Sequence, residues 1–152
     1  MDAGRCYNGR EDMPRETLVE ILSSYASYAP HVGYCQGMNY IAGTLFIYLQ
    51  DEAQTFAVLA GLIEKYNMES LLNEDLYRLK LYFYMMDRLI GVFLPMLHKH
   101  FRDEMINSAH FSSSWFITLF SSIYEPPLLL KFWDMFLAQG WKAIFRIGIV
   151  IL

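Results

Sequence analysis

The chain has 152 residues, enough for one domain with a sizeable core and too few for two domains of ordinary size. Its residues are 55% hydrophobic and 18% charged, which excludes general disorder. The net charge of -4 argues against a nucleic-acid binder. Cys6 and Cys35 provide no disulfide framework, so we expect a reducing, cytoplasmic setting. We expect no secretory signal after Met1, and no apolar run approaches the ~20 residues of a membrane span.

Helical periodicity dominates the first half of the chain. Pro14 suits the start of a first helix, and apolar residues then recur at helical spacing until Pro30 ends the element. A second helix is predicted at roughly residues 37–48. Asp51 with Gln54 has the pattern of a capping box at the start of a third helix.

The second half of the chain shows the same periodicity. A fourth amphipathic helix is predicted over residues 76–90, and Pro95 breaks or restarts it. The serines at 112–114 could cap the next helix, and the prolines at 126–127 begin another that ends near Gly140. A last helical segment follows at 141–152. No strand alternation is sustained, so we predict a single, irregular, all-α multi-helix domain.

The run Gly-Tyr-Cys-Gln-Gly-Met-Asn-Tyr at residues 33–40 is the most informative motif. It follows the first helix and opens the second. An amide, an aromatic ring and two glycines at such a point are poor choices for a core alone. They suit a surface that approaches a ligand closely and offers it hydrogen bonds.

This run is similar to the signature of the TBC (Tre-2/Bub2/Cdc16) domains, which activate GTP hydrolysis by Rab GTPases. Two later runs, at residues 114–120 and 132–137, resemble later helices of that family, and Asp-Arg-Leu at 87–89 resembles a segment between them. The resemblance covers about residues 15–152. It lacks the family's N-terminal helices and closing helices, so we expect residues 1–152 to form a TBC domain that is incomplete at both ends.

The resemblance implies a dual-finger mechanism acting in trans. An arginine finger can raise GTP hydrolysis by a GTPase about 10³- to 10⁵-fold, and a glutamine amide can hold the attacking water. Gln36 is thereby implied as the glutamine finger. Tyr34 would buttress the loop or contact the partner, and Gly33 and Gly37 would permit close approach. Asn39 would either touch the partner or cap the second helix.

The arginine is implied by a second motif. Asp2 and Arg5 preserve the Asp-x-x-Arg part of the family's arginine motif, which makes Arg5 the candidate finger and Asp2 part of the partner-binding set. Arg10 and Arg15 are alternatives by position, and a finger upstream of Met1 is another.

Other chemistry is not indicated. No Gly-x4-Gly-Lys-Ser/Thr loop is present, so GTP and Mg²⁺ would belong to the partner, and the chain would have no cofactor of its own. His98 and His100 fall on different sides of a helix, unlike a zinc-binding pair. Two functions remain open. One is a Rab GTPase activator in vesicle trafficking at endomembranes. The other is a non-catalytic TBC-like module that binds a small GTPase or a scaffold.

Overall fold

The computed structural model describes residues 14–72 and 76–152, and every regular element in those ranges is an α-helix. The all-α prediction is therefore confirmed. The chain divides into two compact units, Met1–Glu74 and Asp75–Leu152. The helices are α1 Arg15–Tyr28, α2 Met38–Leu49, α3 Glu52–Lys65, α4 Glu69–Leu72, α5 Tyr77–Phe93, α6 Pro95–Asp103, α7 Ala109–Thr118, α8 Leu128–Gln139 and α9 Trp141–Ile151.

The first unit is built around α2. Helices α1, α2 and α3 pack against one another in pairs. Eight of the twelve residues of α2 are buried, as expected for a helix that is apolar on most sides. The first turn of α2 is mostly buried, with Tyr40 partly exposed, and it gives the loop before it a rigid base.

The predicted cap of α3 is present. The Asp51 carboxylate accepts a hydrogen bond from the backbone N–H of Gln54 at 2.7 Å, which satisfies one of the donors left unpaired at a helix start. The buried Thr55 hydroxyl donates to the Asp51 carbonyl oxygen, also at 2.7 Å. Local sequence chemistry therefore determines where α3 begins.

An aromatic cluster forms the core of the second unit. Tyr82 of α5, Phe116 of α7 and Phe145 of α9 have ring centroids 5.1 to 5.3 Å apart, within the range of favourable aromatic pairs. Gly148 lies beside this cluster, and a Cβ there would come within 2.8 Å of Met86 and 2.9 Å of Trp115. The close approach of α9 to α5 and α7 therefore requires a residue without a side chain.

The predicted serine cap of α7 is wrong. The helix begins at Ala109, so the serines at 112–114 lie inside it. The Asn107 side-chain oxygen accepts from the Ala109 N–H at 3.0 Å at the helix start. Ser112 is buried, and its hydroxyl donates to the Ser108 carbonyl oxygen one turn back at 2.7 Å. This bond satisfies the hydroxyl inside a helix, so a serine need not mark a helix start.

A large open groove runs between α5 and α9 in the second unit. Its volume is about 810 Å³. Most of its lining is apolar, including the exposed side chains of Phe93 and Val150. The charged residues that line it are all basic: Arg78, Lys142 and Arg146.

Candidate functional site

The candidate site is the loop between α1 and α2. The loop begins where the Ala29 N–H donates to the Tyr25 carbonyl oxygen at 2.9 Å. The Ala29 carbonyl oxygen then accepts from the N–H groups of Val32, at 3.0 Å, and Gly33, at 2.9 Å. Gly33 has a φ of +64°, a left-handed conformation that glycine adopts without steric cost. These bonds reverse the chain within a few residues.

The loop ends in a tight turn with Gln36 at its corner. The Met38 N–H donates to the Cys35 carbonyl oxygen at 3.1 Å, which closes a four-residue turn. Gly37, the third residue of this turn, has φ 111° and ψ -25°. A positive φ at the third position is the feature of a type II turn, and it explains the glycine there. Gln36 occupies the second position.

Two side chains from the first turn of α2, those of Met38 and Asn39, accept hydrogen bonds from the backbone of this turn. Met38 is 1% exposed, and its sulfur lies 3.2 Å from the Cys35 backbone nitrogen, from which it accepts a hydrogen bond. Asn39 is 2% exposed. Its Oδ1 accepts from the Gly37 N–H at 3.0 Å and from the Tyr34 hydroxyl at 3.5 Å. Buried side chains therefore hold the backbone N–H groups of both neighbours of Gln36, Cys35 and Gly37.

Gln36 itself faces solvent. Its side-chain amide has no hydrogen bond within residues 14–72 and 76–152. A carboxamide offers both an acceptor oxygen and two N–H donors, so Gln36 is able to bind a water molecule or a phosphate oxygen. The structure thus presents an available polar side chain on a turn held by hydrogen bonds from the N–H groups of Cys35, Gly37 and Met38.

Two ionisable groups complete the local chemistry. Burial raises the pKa of the Cys35 thiol, which keeps it protonated and makes it a weak nucleophile. Cys35 is half-buried. His31, at the start of the loop, has its Nε2 3.6 Å from a carboxylate oxygen of Glu69 in α4, a contact that becomes an ion pair when the histidine is protonated.

The structure gathers four of the predicted site residues into this one loop, Gly33, Tyr34, Gln36 and Gly37, and places Asn39 at the second position of α2. Arg15 is exposed at the first position of α1. The other predicted residues, Asp2, Arg5 and Arg10, lie outside the residues that the structure describes. In the described part of the chain, no group of three or more potential metal ligands is found.

Some supporting residues were missed by sequence reasoning. The sulfur of Met38 and the short helix α4 had no recognisable pattern in the sequence. The turn could have been found, because a glycine directly after an exposed polar residue is typical of the third position of a type II turn. Among the helices that the structure describes, none is long and apolar enough to cross a membrane.

Comparison with known proteins decides the family. The model of the Rab-GTPase-TBC domain matches the chain over residues 1–152. The chain belongs to this family. A solved structure, the Chlamydomonas flagellar RabGAP TBC domain, superimposes on this TBC chain with a TM-score of 0.85 at 25% sequence identity. That match covers 97% of the TBC chain and 50% of the solved one.

Curated relatives agree with this assignment. The Caenorhabditis elegans Rab GTPase-activating protein eat-17 is 33% identical over 135 residues, which is 89% of this TBC chain and 15% of that protein. The human ecotropic viral integration site 5 protein homolog is 28% identical over 146 residues, or 96% of the chain and 18% of that protein. The GTPase-activating protein GYP5 of Saccharomyces cerevisiae is 31% identical over 134 residues, which is 88% of the TBC chain and 15% of that protein. The TBC chain therefore spans less than a fifth of these relatives.

Proposed function

We propose that this TBC chain accelerates GTP hydrolysis by a Rab-type GTPase, with Gln36 entering the nucleotide site of that GTPase. The observation that carries the proposal is the exposed Gln36 amide at the corner of a turn braced by buried side chains. The names of two relatives support it, since eat-17 is called a Rab GTPase-activating protein and GYP5 a GTPase-activating protein.

The chemistry follows from what slow GTP hydrolysis lacks. The partner GTPase holds GTP and Mg²⁺, but the attacking water must be aligned with the γ-phosphate, and the charge that develops on the phosphoryl group must be neutralised. The Gln36 carbonyl oxygen would accept a hydrogen bond from that water, while its NH₂ group would donate to an oxygen of the site. This arrangement orients the nucleophile without any covalent step on the TBC chain.

Charge neutralisation is assigned to an arginine. Arg5 is the proposed finger, and Asp2 belongs to the partner-binding set. The two residues preserve the Asp-x-x-Arg spacing of the family's arginine motif. Gly33 and Tyr34, which are partly exposed, would form the surface that lies against the GTPase around Gln36, and Gly37, which is buried, would allow close approach through the geometry of the turn. A Rab partner would place the activity in vesicle trafficking, at the cytoplasmic surface of endomembranes.

Single-turnover GTP hydrolysis tests the proposal. A panel of GTP-loaded Rab GTPases is mixed with the chain or with its Gln36→Ala or Arg5→Ala variant. We expect acceleration that falls by about 10²- to 10³-fold in Gln36→Ala, the range for removing a group that acts on the transition state. Gln54→Ala, which removes an exposed glutamine from α3, is the matched control and should keep full activity.

The outcomes separate the alternatives. Loss of acceleration in both finger variants supports both assignments. Loss in Gln36→Ala alone moves the arginine role to another residue, with Arg10 and Arg15 the next to substitute. A folded chain that binds a Rab and accelerates none of the panel contradicts the proposal and favours the non-catalytic module.

A further inference from the structure

We infer that Asn39 is a positioning residue, which sets the direction of Gln36 from the first turn of α2 and makes no contact with the GTPase. The inference rests on the proposed function of Gln36. It starts from burial, because a side chain that is 2% exposed offers almost no surface to a partner. Its Oδ1 atom is instead directed at the Gly37 N–H and the Tyr34 hydroxyl.

The bond to Gly37 acts on the peptide unit that links Gln36 to Gly37. That unit is the central peptide of the turn, and types I and II differ mainly by a flip of this peptide. Because Asn39 Oδ1 accepts from the Gly37 N–H at 3.0 Å, it favours the orientation in which this N–H points into the protein. The positive φ of Gly37 belongs to the same orientation. Asn39 and Gly37 therefore select one turn geometry together.

The other end of the same peptide is also held. The Cys35 thiol lies 3.7 Å from the Gln36 carbonyl oxygen and donates a weak hydrogen bond to it. The peptide on the C-terminal side of Gln36 thus has partners for both its N–H and its C=O within the loop. Fixing this peptide restricts the ψ angle of Gln36, and with it the direction of the side chain.

A carboxamide suits this position better than a charged group. An isolated buried carboxylate would carry a large desolvation cost, whereas the neutral oxygen of asparagine accepts both hydrogen bonds without it. The rigid base is α2, where Asn39 is the second residue of a largely buried helix. Positioning groups are most effective when they stand on such elements.

The test combines hydrolysis with a loop measurement that needs no GTPase. In Asn39→Ala, we expect the acceleration of a GTP-loaded Rab to fall by about 10- to 100-fold at saturating TBC chain, as for a displaced catalytic group. The affinity for the Rab should change little. Amide hydrogen exchange at Gly37, followed by NMR, should become faster because its acceptor is gone.

A double-mutant comparison identifies the route of the effect. If Asn39 acts through Gln36, adding Asn39→Ala to Gln36→Ala should cause no further loss of rate. Thr44→Ala is the matched control, since Thr44 is also buried in α2 and its hydroxyl donates to the Tyr40 carbonyl oxygen. This variant should lower the melting temperature without changing the rate or the exchange at Gly37.

Three results would overturn the inference. They are an additive loss in the double variant, a loss of Rab affinity that accounts for the loss of rate, and unchanged exchange at Gly37 in Asn39→Ala. If Asn39→Ala does not fold, Asn39→Leu replaces it, because leucine fills a similar volume and has no acceptor atom. The Gly37 amide should again exchange faster than in the wild type, and unchanged exchange would contradict the inference. Failure of the proposed function can be told apart from failure of this inference, because in that case the wild-type chain itself would accelerate GTP hydrolysis by none of the Rab GTPases.

Discussion

The loop between α1 and α2 and the groove between α5 and α9 are opposite kinds of surface. The loop exposes the Gln36 amide on a turn held by hydrogen bonds within the loop and to the first turn of α2, whereas the groove, with a volume of about 810 Å³, is lined mostly by apolar side chains. A concave, mostly apolar cavity is the usual guide to a functional site, and the groove in the second unit has these features. A residue that must enter another protein's site needs a protrusion instead. The comparison teaches that cavity size is a poor guide when the proposed chemistry takes place in a partner.

The first prediction compares a fully buried ring of the aromatic core with an exposed ring that lines the groove. Phe116 is fully buried among Tyr82 and Phe145, so Phe116→Ala should lower the free energy of unfolding by about 3–5 kcal/mol. Phe93→Ala is the matched control, because Phe93 lines the groove and is 62% exposed. It should cost less than about 1 kcal/mol. Urea unfolding measures both, and equal losses would contradict this account of the core.

The second prediction concerns alkaline pH and the first unit. Burial, reinforced by the Glu69 carboxylate, raises the pKa of Tyr25 from 10.0 to about 12. Below pH 10 the phenol is neutral in both folded and unfolded chains. Between pH 10 and 12 the unfolded chain ionises first, so the free energy of unfolding should fall, by up to about 3 kcal/mol from this residue.

Tyr25→Phe is the variant for that test. It should be less sensitive to pH between 10 and 12 than the wild type when urea unfolding is repeated at each pH. Some sensitivity should persist, because burial also raises the pKa of Tyr82 in the second unit. An identical pH dependence in the variant would show that Tyr25 ionises as freely in the folded chain as in the unfolded one.

The third prediction is the smallest and probes the turn. Gly37→Ala should cost about 1–2 kcal/mol of folding free energy, because φ 111° is strained for any residue with a Cβ. Gly61→Ala is the matched control, since Gly61 lies in α3 with nothing within 4 Å of an added Cβ. It should stabilise the chain by up to about 1 kcal/mol. Thermal unfolding checks both signs, and a neutral Gly37→Ala would mean that the turn relaxes without penalty.

Much of the helical pattern was predictable because its causes are local. Pro14 and Asp51 mark the starts of α1 and α3 through a fixed φ and a side-chain cap, and both effects act within one turn of helix. The run at residues 33–40 also located the candidate site. The serines at 112–114 failed as a cap, because a hydroxyl can bond either to an amide at a helix start or to a carbonyl oxygen inside the helix.

The sequence by itself determined that this chain is all-helical, that it resembles a TBC domain and that Gln36 is the residue to test. Those conclusions depend on residue order, spacing and side-chain chemistry. Only the tertiary structure decided that Asn39 is buried beneath the turn and that the Gln36 amide faces solvent. The reason is physical: which residues of α2 are buried depends on how α1 and α3 pack against it, and that packing involves residues distant in the sequence. No local pattern specifies which face of α2 is covered.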